Sequence, residues 1–453
     1  MSNKIDYINE KLPASKLVPL GLQHVLSMYA GALVVPIMIG KALGLNPQQL
    51  AYLIAADLFT CGLATLIQAF GIGNYAGIKM PVILGCSFVA VSPMIAIGTS
   101  GGLSGAEGLT AIYGATIVSG LLLWAVAYYF GKLTKFFPPV VTGTVITVVG
   151  LSLIPLAINN AAGGIGEKGY GDPKNLLLAL FVLAIVLFMN RFFKGFLQSI
   201  SVLVGLIVGT IVAYFMGMVD FTEVVEAGWF ELILPFHFGM PTFKLDAIIS
   251  LTLVAIVTSI EAIGVFLGLG QICEKDVTEE EIVRGLRAEG IAKAMGGVFN
   301  SFPYATFSQN VGLVALSGVK SRYVCITSGI ILAILGVLPK FAALGTVVPI
   351  PVLGGATLAM FGMVAVSGMR ILSGVDFSKQ GNLLIIAVSV AVGLGCKVAP
   401  QALAGLPHAL KIIFEDGIIS ASLFAIVLNI FFNYDEIKNG SNQEHAVHEE
   451  VTV

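Results

Sequence analysis

Apolar stretches separated by short polar links run along almost the whole chain. An α-helix crosses the hydrocarbon core of a membrane with about 20 apolar residues. On that measure the chain contains two sets of seven predicted spans. The first set lies near residues 18–40, 49–70, 81–98, 108–130, 137–158, 174–190 and 197–218. The second set lies near residues 246–270, 283–299, 302–318, 323–344, 346–368, 380–398 and 416–433. The pattern predicts an all-α polytopic membrane protein with 14 transmembrane segments.

Two pairs of short motifs recur about half a chain apart. Residues 80–88 and 302–310 each place a proline six residues before a polar side chain, and residues 139–150 match residues 351–362 in proline, valine and two glycines. Chance is the alternative, because glycine and proline are common in membrane helices. However, the offsets of 222 and 212 residues are nearly equal. Seven spans per copy is an odd number, so the second copy starts from the opposite side, and the motifs predict two inverted repeats.

Composition agrees with a lipid environment for most of the chain. Of its 453 residues, 57% are hydrophobic and 11% are charged, and the mean hydropathy is +0.95. A net charge of -2 offers no basic surface, so nucleic acid is excluded as a partner. The five cysteines have no CxxC spacing, so they predict packing residues and neither a disulfide framework nor a metal site. No cofactor is expected.

The distribution of basic residues predicts the orientation. With the N-terminus inside, 16 of the 24 Lys and Arg residues fall on the inner side, seven fall on the outer side, and Lys293 lies within a span. An even number of spans then leaves residues 1–17 and 434–453 both cytoplasmic. The polar N-terminus has no cleavable signal pattern. We expect a multi-pass protein of the cytoplasmic (inner) membrane.

The two proline motifs are the first candidate site. Non-helical backbone survives at membrane depth only where protein or a water-filled cavity satisfies it. In repeat-built transporters, two half-helix N-termini meet near the midplane, and Ser87 and Gln309 would lie at those ends. The Gln309 amide both donates and accepts, which suits the lactam edge of a purine or pyrimidine. Sugars and amino acids remain open at this point. Asn310 is interpreted as a structural cap.

Ionisable residues deep in predicted spans are the second candidate site, because burying them in a membrane is costly. Glu261 lies about fifteen residues into a neutral span, so we assign it a functional role. For Glu289 an ion pair with Arg287 or Lys293 competes with a proton-carrying role. His24 either titrates near physiological pH or is a neutral hydrogen-bonding group. We interpret Asp57 as a hydrogen-bond partner between helices.

Known catalytic patterns do not occur in the sequence. No GxxxxGK[ST] phosphate loop exists, and no serine, histidine and carboxylate set falls in the predicted loops. The chain is therefore not expected to be an enzyme. Secondary transport remains, with protons as the economical coupling ion, because a buried carboxylate can be neutralised by protonation.

Residues 309–318, Gln-Asn-Val-Gly-Leu-Val-Ala-Leu-Ser-Gly, resemble the signature of the nucleobase/ascorbate transporter family, also called nucleobase:cation symporter family 2. Ser317 replaces the Thr of that signature and keeps its hydroxyl. The resemblance extends through His24, the Cys86-Ser87-Phe88 run, Glu261 and Glu289, and so covers nearly the whole chain. Gln at position 309 resembles the bacterial xanthine/uric acid permease branch.

The resemblance implies a division into two domains. A core domain would take spans 1 to 4 and 8 to 11, residues 18–130 and 246–345, and a gate domain the other spans, residues 131–245 and 346–433. Spans 3 and 10 would be broken by short β-strands. Relatives commonly form homodimers, so a homodimer is expected.

The resemblance also implies roles for the candidate residues. Glu261 would bind the base directly, Gln309 would contact its other edge, and Phe88 and Ser308 would add backbone bonds, with Ser87 beside them. Structural roles fall to Asn310, Gly312 and Ser317, and proton coupling falls to Glu261, Glu289 and His24. Val265 stands where some relatives carry a titratable residue.

The function that these roles imply is proton-coupled import of xanthine, urate or both. A uracil or broader nucleobase carrier is the first alternative. An anion carrier of the sulfate or bicarbonate type is more remote, because a carboxylate such as Glu261 repels anions.

Overall fold

Residues 7–132, 136–403, 405–407, 410, 414 and 416–434 are described by a computed structural model of the protein. Over this part the chain is helical apart from one two-stranded sheet, β1 at Leu84–Cys86 and β2 at Tyr304–Thr306. The helices before β2 are α1 Ala14–Ala42, α2 Pro47–Phe70, α3 Val91–Thr99, α4 Gly105–Lys132, α5 Pro139–Ala161, α6 Pro173–Phe192, α7 Phe196–Ser199, α8 Ser201–Phe215, α9 Thr222–Glu226, α10 Leu245–Cys273 and α11 Glu279–Val298. Those after β2 are α12 Ser308–Ser317, α13 Arg322–Gly336, α14 Pro339–Thr346, α15 Ile350–Leu372, α16 Gln380–Val398 and α17 Gly417–Phe432.

Membrane-spanning length and apolarity are combined in eight of the described helices. These are α1, α2, α4, α5, α6, α10, α15 and α16, and the bent pair of α13 and α14 makes a ninth if it crosses as one span. Three further apolar helices are shorter: Phe88–Gly102, α8 and α17. The predicted all-helical polytopic membrane fold is therefore confirmed.

The predicted span at 323–344 differs from the structure, which has two helices there meeting at 80°. Pro339 is the first residue of α14 and has no N–H to continue the hydrogen bonds of α13. The residue before a proline is also biased away from helical backbone, and Leu338 has φ -112° and ψ 86°. The bend follows from this proline.

Local sequence explains where two helices around the site begin. Asn46 accepts a hydrogen bond from the Gln49 N–H at 2.8 Å, and the Gln49 side chain accepts one from the Asn46 N–H. Thr278 and Glu281 form the same reciprocal capping box at the start of α11. These caps satisfy backbone N–H groups that the helices leave unpaired.

The described chain packs into two compact units. One unit runs from the start of the described chain to Ala127 and again over Ile154–Met360, and it contains both strands. The other takes Tyr128–Leu153 and the chain from Phe361 onward. The division into core and gate domains, which concerns segments that move, stays a prediction.

Within the larger unit, α2 and α13 cross at two glycines. A Cβ built on Gly62 would lie 2.5 Å from both the Ala333 nitrogen and the Gly329 oxygen. Only residues without a side chain permit this approach of two backbones. The crossing holds α2, which carries Asp57, in its place.

We therefore expect Gly62→Ala to lower the stability of the folded protein by about 1–3 kcal/mol, the usual cost of overpacking. Gly395→Ala is the matched control, since a Cβ there meets nothing within 4 Å. Thermal unfolding of both variants in detergent measures the effect. Equal melting temperatures for the two variants would contradict the close crossing.

Candidate functional site

The two proline motifs form the centre of the site. Strands β1 and β2 pair antiparallel, with Leu84 opposite Thr306 and Gly85 opposite Ala305. Each strand leads into a short helix: β1 reaches α3 through a 3₁₀ turn at Phe88–Ala90, and β2 leads to α12. The extended stretches and half-length helices predicted from the prolines are present.

Two backbone hydrogen bonds extend this ladder. The Ser87 N–H donates to the Pro303 carbonyl at 3.0 Å, and the Phe307 N–H donates to the Ile83 carbonyl at 2.9 Å. Non-helical backbone is thus satisfied by the opposite motif, as membrane depth requires. The middle residues of the strands, Gly85 and Ala305, lie 220 residues apart in sequence, whereas Pro81 and Pro303 lie 222 apart. Pro81 therefore precedes its strand by two residues more than Pro303 does.

Asp57 holds the second broken segment against α2. Its Oδ1 accepts hydrogen bonds from Cys86 Sγ at 2.7 Å, Ser301 Oγ at 2.7 Å and the Tyr304 hydroxyl at 2.8 Å. The side chain is fully buried, and Oδ2 has no partner among the described residues. The interpretation of Asp57 as a hydrogen-bonding residue is confirmed, and Cys86 proves to be a donor as well as a packing residue.

Glu289 is bound on both carboxylate oxygens. Oε1 accepts the Thr306 N–H at 2.9 Å and the Thr306 hydroxyl at 2.5 Å, while Oε2 pairs with Lys293 Nζ at 3.1 Å. Glu289 and Lys293 both have 0% exposed side chains. Of the two ion-pair partners considered from the sequence, Lys293 is the one in contact.

His24 and Asn310 join α1 to α12. The Asn310 Nδ2 lies 3.2 Å from both the Nδ1 and the carbonyl oxygen of His24, and both side chains are buried. The expected helix cap is wrong, because the cap position is Phe307 and Asn310 already lies in the first turn. Its structural role instead comes from this bridge between helices.

Glu261 lies on α10, whose residues contact β2, the 3₁₀ turn at Phe88–Ala90, α3 and α12. Its side chain is partly exposed, and no hydrogen bond to it is present within the described part of the chain. It lies near enough to Glu289 and Lys293 to interact with their charges. Glu261 is thus a carboxylate whose acceptor capacity is not used by the described protein groups.

Residues at the starts of the short helices belong to elements that α10 contacts. The Ser87 Oγ is buried without a partner among the described residues, and the Phe88 ring is tilted against Phe307 with centroids 6.2 Å apart. Ser308 begins α12. An unpartnered hydroxyl and two helix starts, on elements packed against the helix that carries Glu261, are chemically suited to a polar ligand.

The remaining predicted residues lie along α12. Gln309 belongs to its first turn, but its side chain falls outside the described residues. Gly312 is exposed, and a Cβ there would meet nothing within 4 Å. Ser317 ends the helix, where its Oγ accepts the Val319 N–H at 3.3 Å. Gly318 follows with φ 67°, a conformation that favours glycine at a helix end.

Three side chains of the network were not singled out in the sequence: Ser301, Tyr304 and Thr306. Their signal is the polar run around Pro303 inside an otherwise apolar half-chain. Lys293 had been noticed only as the basic residue left within a span. All four bind carboxylates that the sequence did identify, Asp57 and Glu289.

Paired broken helices that carry buried polar groups inside an apolar bundle define a secondary membrane transporter. The chain matches the Permease family model over residues 15–402. It belongs to this family of membrane permeases, the nucleobase/ascorbate transporter family, and is not an enzyme.

Characterised relatives align over nearly their whole length. The chain is 51% identical to the nucleobase transporter PlUacP of Paenibacillus larvae, over 96% of this chain and 99% of the relative. It is 52% identical to the uric acid permease PucK of Bacillus subtilis, over 94% and 97% of the two chains. Identity to the xanthine permease of Bacillus subtilis is 48%, over 96% and 98%.

Solved structures share the fold at low sequence identity. The transmembrane domain of the cyanobacterial bicarbonate transporter BicA has a TM-score of 0.57 at 17% identity, covering 93% of this chain and 100% of that domain. The murine anion transporter Slc26a9 in its inward-facing state has a TM-score of 0.63 at 13% identity, covering 95% and 70%. These likenesses concern the fold alone.

Proposed function

We propose that the protein imports a purine nucleobase, xanthine or urate, together with protons. The observation that carries this proposal is Glu261, a partly exposed carboxylate without a protein hydrogen bond among the described residues, on a helix that packs against both broken segments. An N–H group of an oxidised purine supplies the missing donor. Three close relatives are named as nucleobase, uric acid and xanthine carriers, which supports the substrate class.

In the proposed binding site, three segments of the chain bind the two edges of the base. Glu261 accepts an N–H, and the Gln309 amide donates to and accepts from the opposite edge. Backbone groups at Phe88 and Ser308 add hydrogen bonds, and the unpartnered Ser87 hydroxyl adds another. The helix starts favour electron-rich carbonyl oxygens of the base.

For the coupling proton, Glu261 is the proposed carrier. Protonation neutralises a carboxylate, which lowers the penalty for closing the site around it. His24 and Glu289 were the other coupling residues predicted from the sequence. His24 lies within hydrogen-bond distance of Asn310, and Glu289 is bound to Thr306 and Lys293, so neither has the uncommitted acceptor capacity of Glu261.

The proposed transport cycle moves a core domain against a gate domain, each built from both halves of an inverted 14-span repeat. Equal lengths of corresponding helices support the repeat: α1 and α10 have 29 residues each, and α5 and α15 have 23 each. The paired strands support it further. We also propose cytoplasmic termini in the cytoplasmic membrane and a homodimer.

A competition experiment tests the substrate. Cells lacking their own purine carriers and expressing this protein should accumulate labelled xanthine, and unlabelled urate or xanthine should block it, because both present the same alternating N–H and C=O edge. Uracil should compete weakly. Sulfate and bicarbonate should have no effect, since neither carries the planar edge of alternating N–H and C=O groups that Glu261 and Gln309 are proposed to bind. Full block by uracil with none by urate would contradict the proposal, and inhibition by sulfate alone would favour an anion carrier.

A further inference from the structure

A lysine buried inside the transporter core has no role in the proposed binding site. Lys293 is among the largest fully buried side chains of the described residues, with 0% of its side chain exposed. Lysine is almost never fully buried unless it is paired. The buried ammonium of Lys293 therefore needs a partner that compensates its charge.

The partner is Glu289, one helical turn earlier on α11, with Nζ and Oε2 3.1 Å apart. The other oxygen, Oε1, accepts two hydrogen bonds from Thr306. Because both oxygens accept hydrogen bonds, the Glu289 carboxylate is held in place from two sides. The pair is a closed unit.

This unit is attached to the ligand side of the site. Thr306 is the last residue of β2, where it pairs with Leu84 of β1, and α12 begins two residues later at Ser308. A shift of the Glu289 carboxylate would therefore move the start of the short helix that presents Gln309. The position of one helix start depends on one ion pair.

The lysine stem is confined by close packing against α4. A Cβ built on Gly120 would lie 2.9 Å from the Cβ of Lys293, and a Cβ built on Gly290 would lie 2.6 Å from the backbone nitrogen of Trp124. The two glycines bring the backbones of α4 and α11 together beside the lysine. The stem has little room to swing its ammonium away from Glu289.

The elements packed against α11 carry several other titratable side chains. Those among the described side chains are Asp246, Glu261 and Cys273 of α10, Tyr52, Asp57 and Cys61 of α2, Glu107, Tyr113, Tyr128 and Tyr129 of α4, and Tyr304 of β2. Asp57 accepts three hydrogen bonds on Oδ1 from groups outside α11. On α11 itself, Glu281 and Arg284 pair with each other, and Arg287 lies 4.8 Å from the Tyr75 ring. Glu261 is the neighbour that interacts electrostatically with both members of the pair.

We propose that Lys293 is a positioning residue that keeps Glu289 charged and in place, so that Glu261 alone takes up the coupling proton. Without the ammonium, the charges of Glu261 and Glu289 would repel each other with no cation to offset them, and such repulsion disfavours the ionisation of both carboxylates. Lys293 offsets this repulsion. The inference rests on the proposed proton-coupled transport of a purine.

Three variants test it: Lys293→Met, Glu289→Gln and the charge-matched double variant with both changes. Each is compared with the wild type for membrane level, for melting temperature without substrate, and for xanthine uptake across acidic to alkaline external pH. Lys293→Met should lose at least about tenfold in uptake, since it leaves a buried charge unpaired. Its remaining uptake should follow a pH profile different from that of the wild type, because Glu261 and Glu289 then compete for one proton. The double variant, which has no charge to pair, should recover most of the uptake and a pH profile like that of the wild type.

A wild-type pH profile and uptake in Lys293→Met would overturn the inference, and so would a double variant no better than Lys293→Met. If Lys293→Met does not reach the membrane, the double variant still tests the inference. A membrane level and xanthine uptake restored toward those of the wild type would support the pairing of Lys293 with Glu289. A double variant that also fails to reach the membrane would refute it. If the wild type takes up no purine, the proposed function fails. The melting temperatures then still report whether the two residues act as a pair.

Discussion

Replacing Glu261 with glutamine is expected to abolish proton-driven accumulation of xanthine. The glutamine side chain has nearly the same shape, but it carries no charge and takes up no proton. A hydrogen bond to a charged group contributes about 1.5–3 kcal/mol, so its loss lowers affinity by roughly tenfold to a hundredfold. Loss of the proton carrier adds to this, and net uptake should fall by about a hundredfold or more.

The experiment separates binding from coupling. Uptake driven by an imposed pH gradient is measured in proteoliposomes beside exchange of labelled for unlabelled xanthine, which needs no net proton movement. Glu261→Gln should lose gradient-driven uptake more completely than exchange. Asp246→Asn is the matched control, an exposed carboxylate at the start of the same helix. Unchanged gradient-driven uptake in Glu261→Gln at a normal membrane level would remove this residue from the mechanism.

Replacing Asp57 with leucine is expected to prevent the protein from reaching its folded state. The substitution leaves Cys86, Ser301 and Tyr304 without their shared acceptor at a site where the Asp57 side chain is fully buried. Each buried donor left unsatisfied costs about 1–3 kcal/mol. The Tyr304 hydroxyl still has the Asp57 carbonyl oxygen at 2.9 Å, and the Ser301 hydroxyl still lies 2.6 Å from Tyr304 Oη, so Cys86 is the donor that loses its acceptor outright. With the anionic acceptor of the other two also gone, the loss is a large part of the stability of a typical domain, about 5–15 kcal/mol.

Asp57→Asn is the informative companion variant. Its amide oxygen still accepts hydrogen bonds, so part of the network survives. We expect Asp57→Leu to be nearly absent from the membrane, whereas Asp57→Asn should be present with a lower melting temperature than the wild type. Membrane level by immunoblot and thermal unfolding in detergent measure both. A normal level and melting temperature for the leucine variant would contradict the anchoring role.

The two expected losses have different causes although both residues are carboxylates inside spans. Asp57 has its donors within the protein and therefore holds α2, β1 and the segment before β2 together. Glu261 lacks a described protein donor and therefore remains available to a ligand. Hydrogen-bond partners among the described residues, and not depth in the membrane, distinguish these two carboxylates.

Much of the fold followed from local features of the sequence. Runs of apolar residues predict spans because lipid is the solvent for their side chains, and the structure has eight to nine such helices among the described residues. Pro81 and Pro303 marked the two broken segments because a proline lacks the N–H that continues a helical hydrogen-bond ladder. Residues 309–318 indicated the family, since a family signature is itself a short stretch of sequence.

The partners of the buried ionisable residues needed the tertiary structure. Tyr304 and Asp57 are 247 residues apart, and Asn310 and His24 are 286 apart, so no local pattern connects them. The sequence left Glu289 between an ion pair and a proton role, and the 3.1 Å contact with Lys293 established the ion pair. Apolar periodicity and proline act within a few residues of the chain. Which donor satisfies which buried carboxylate depends on segments from both halves meeting in space, and only the folded chain decides that.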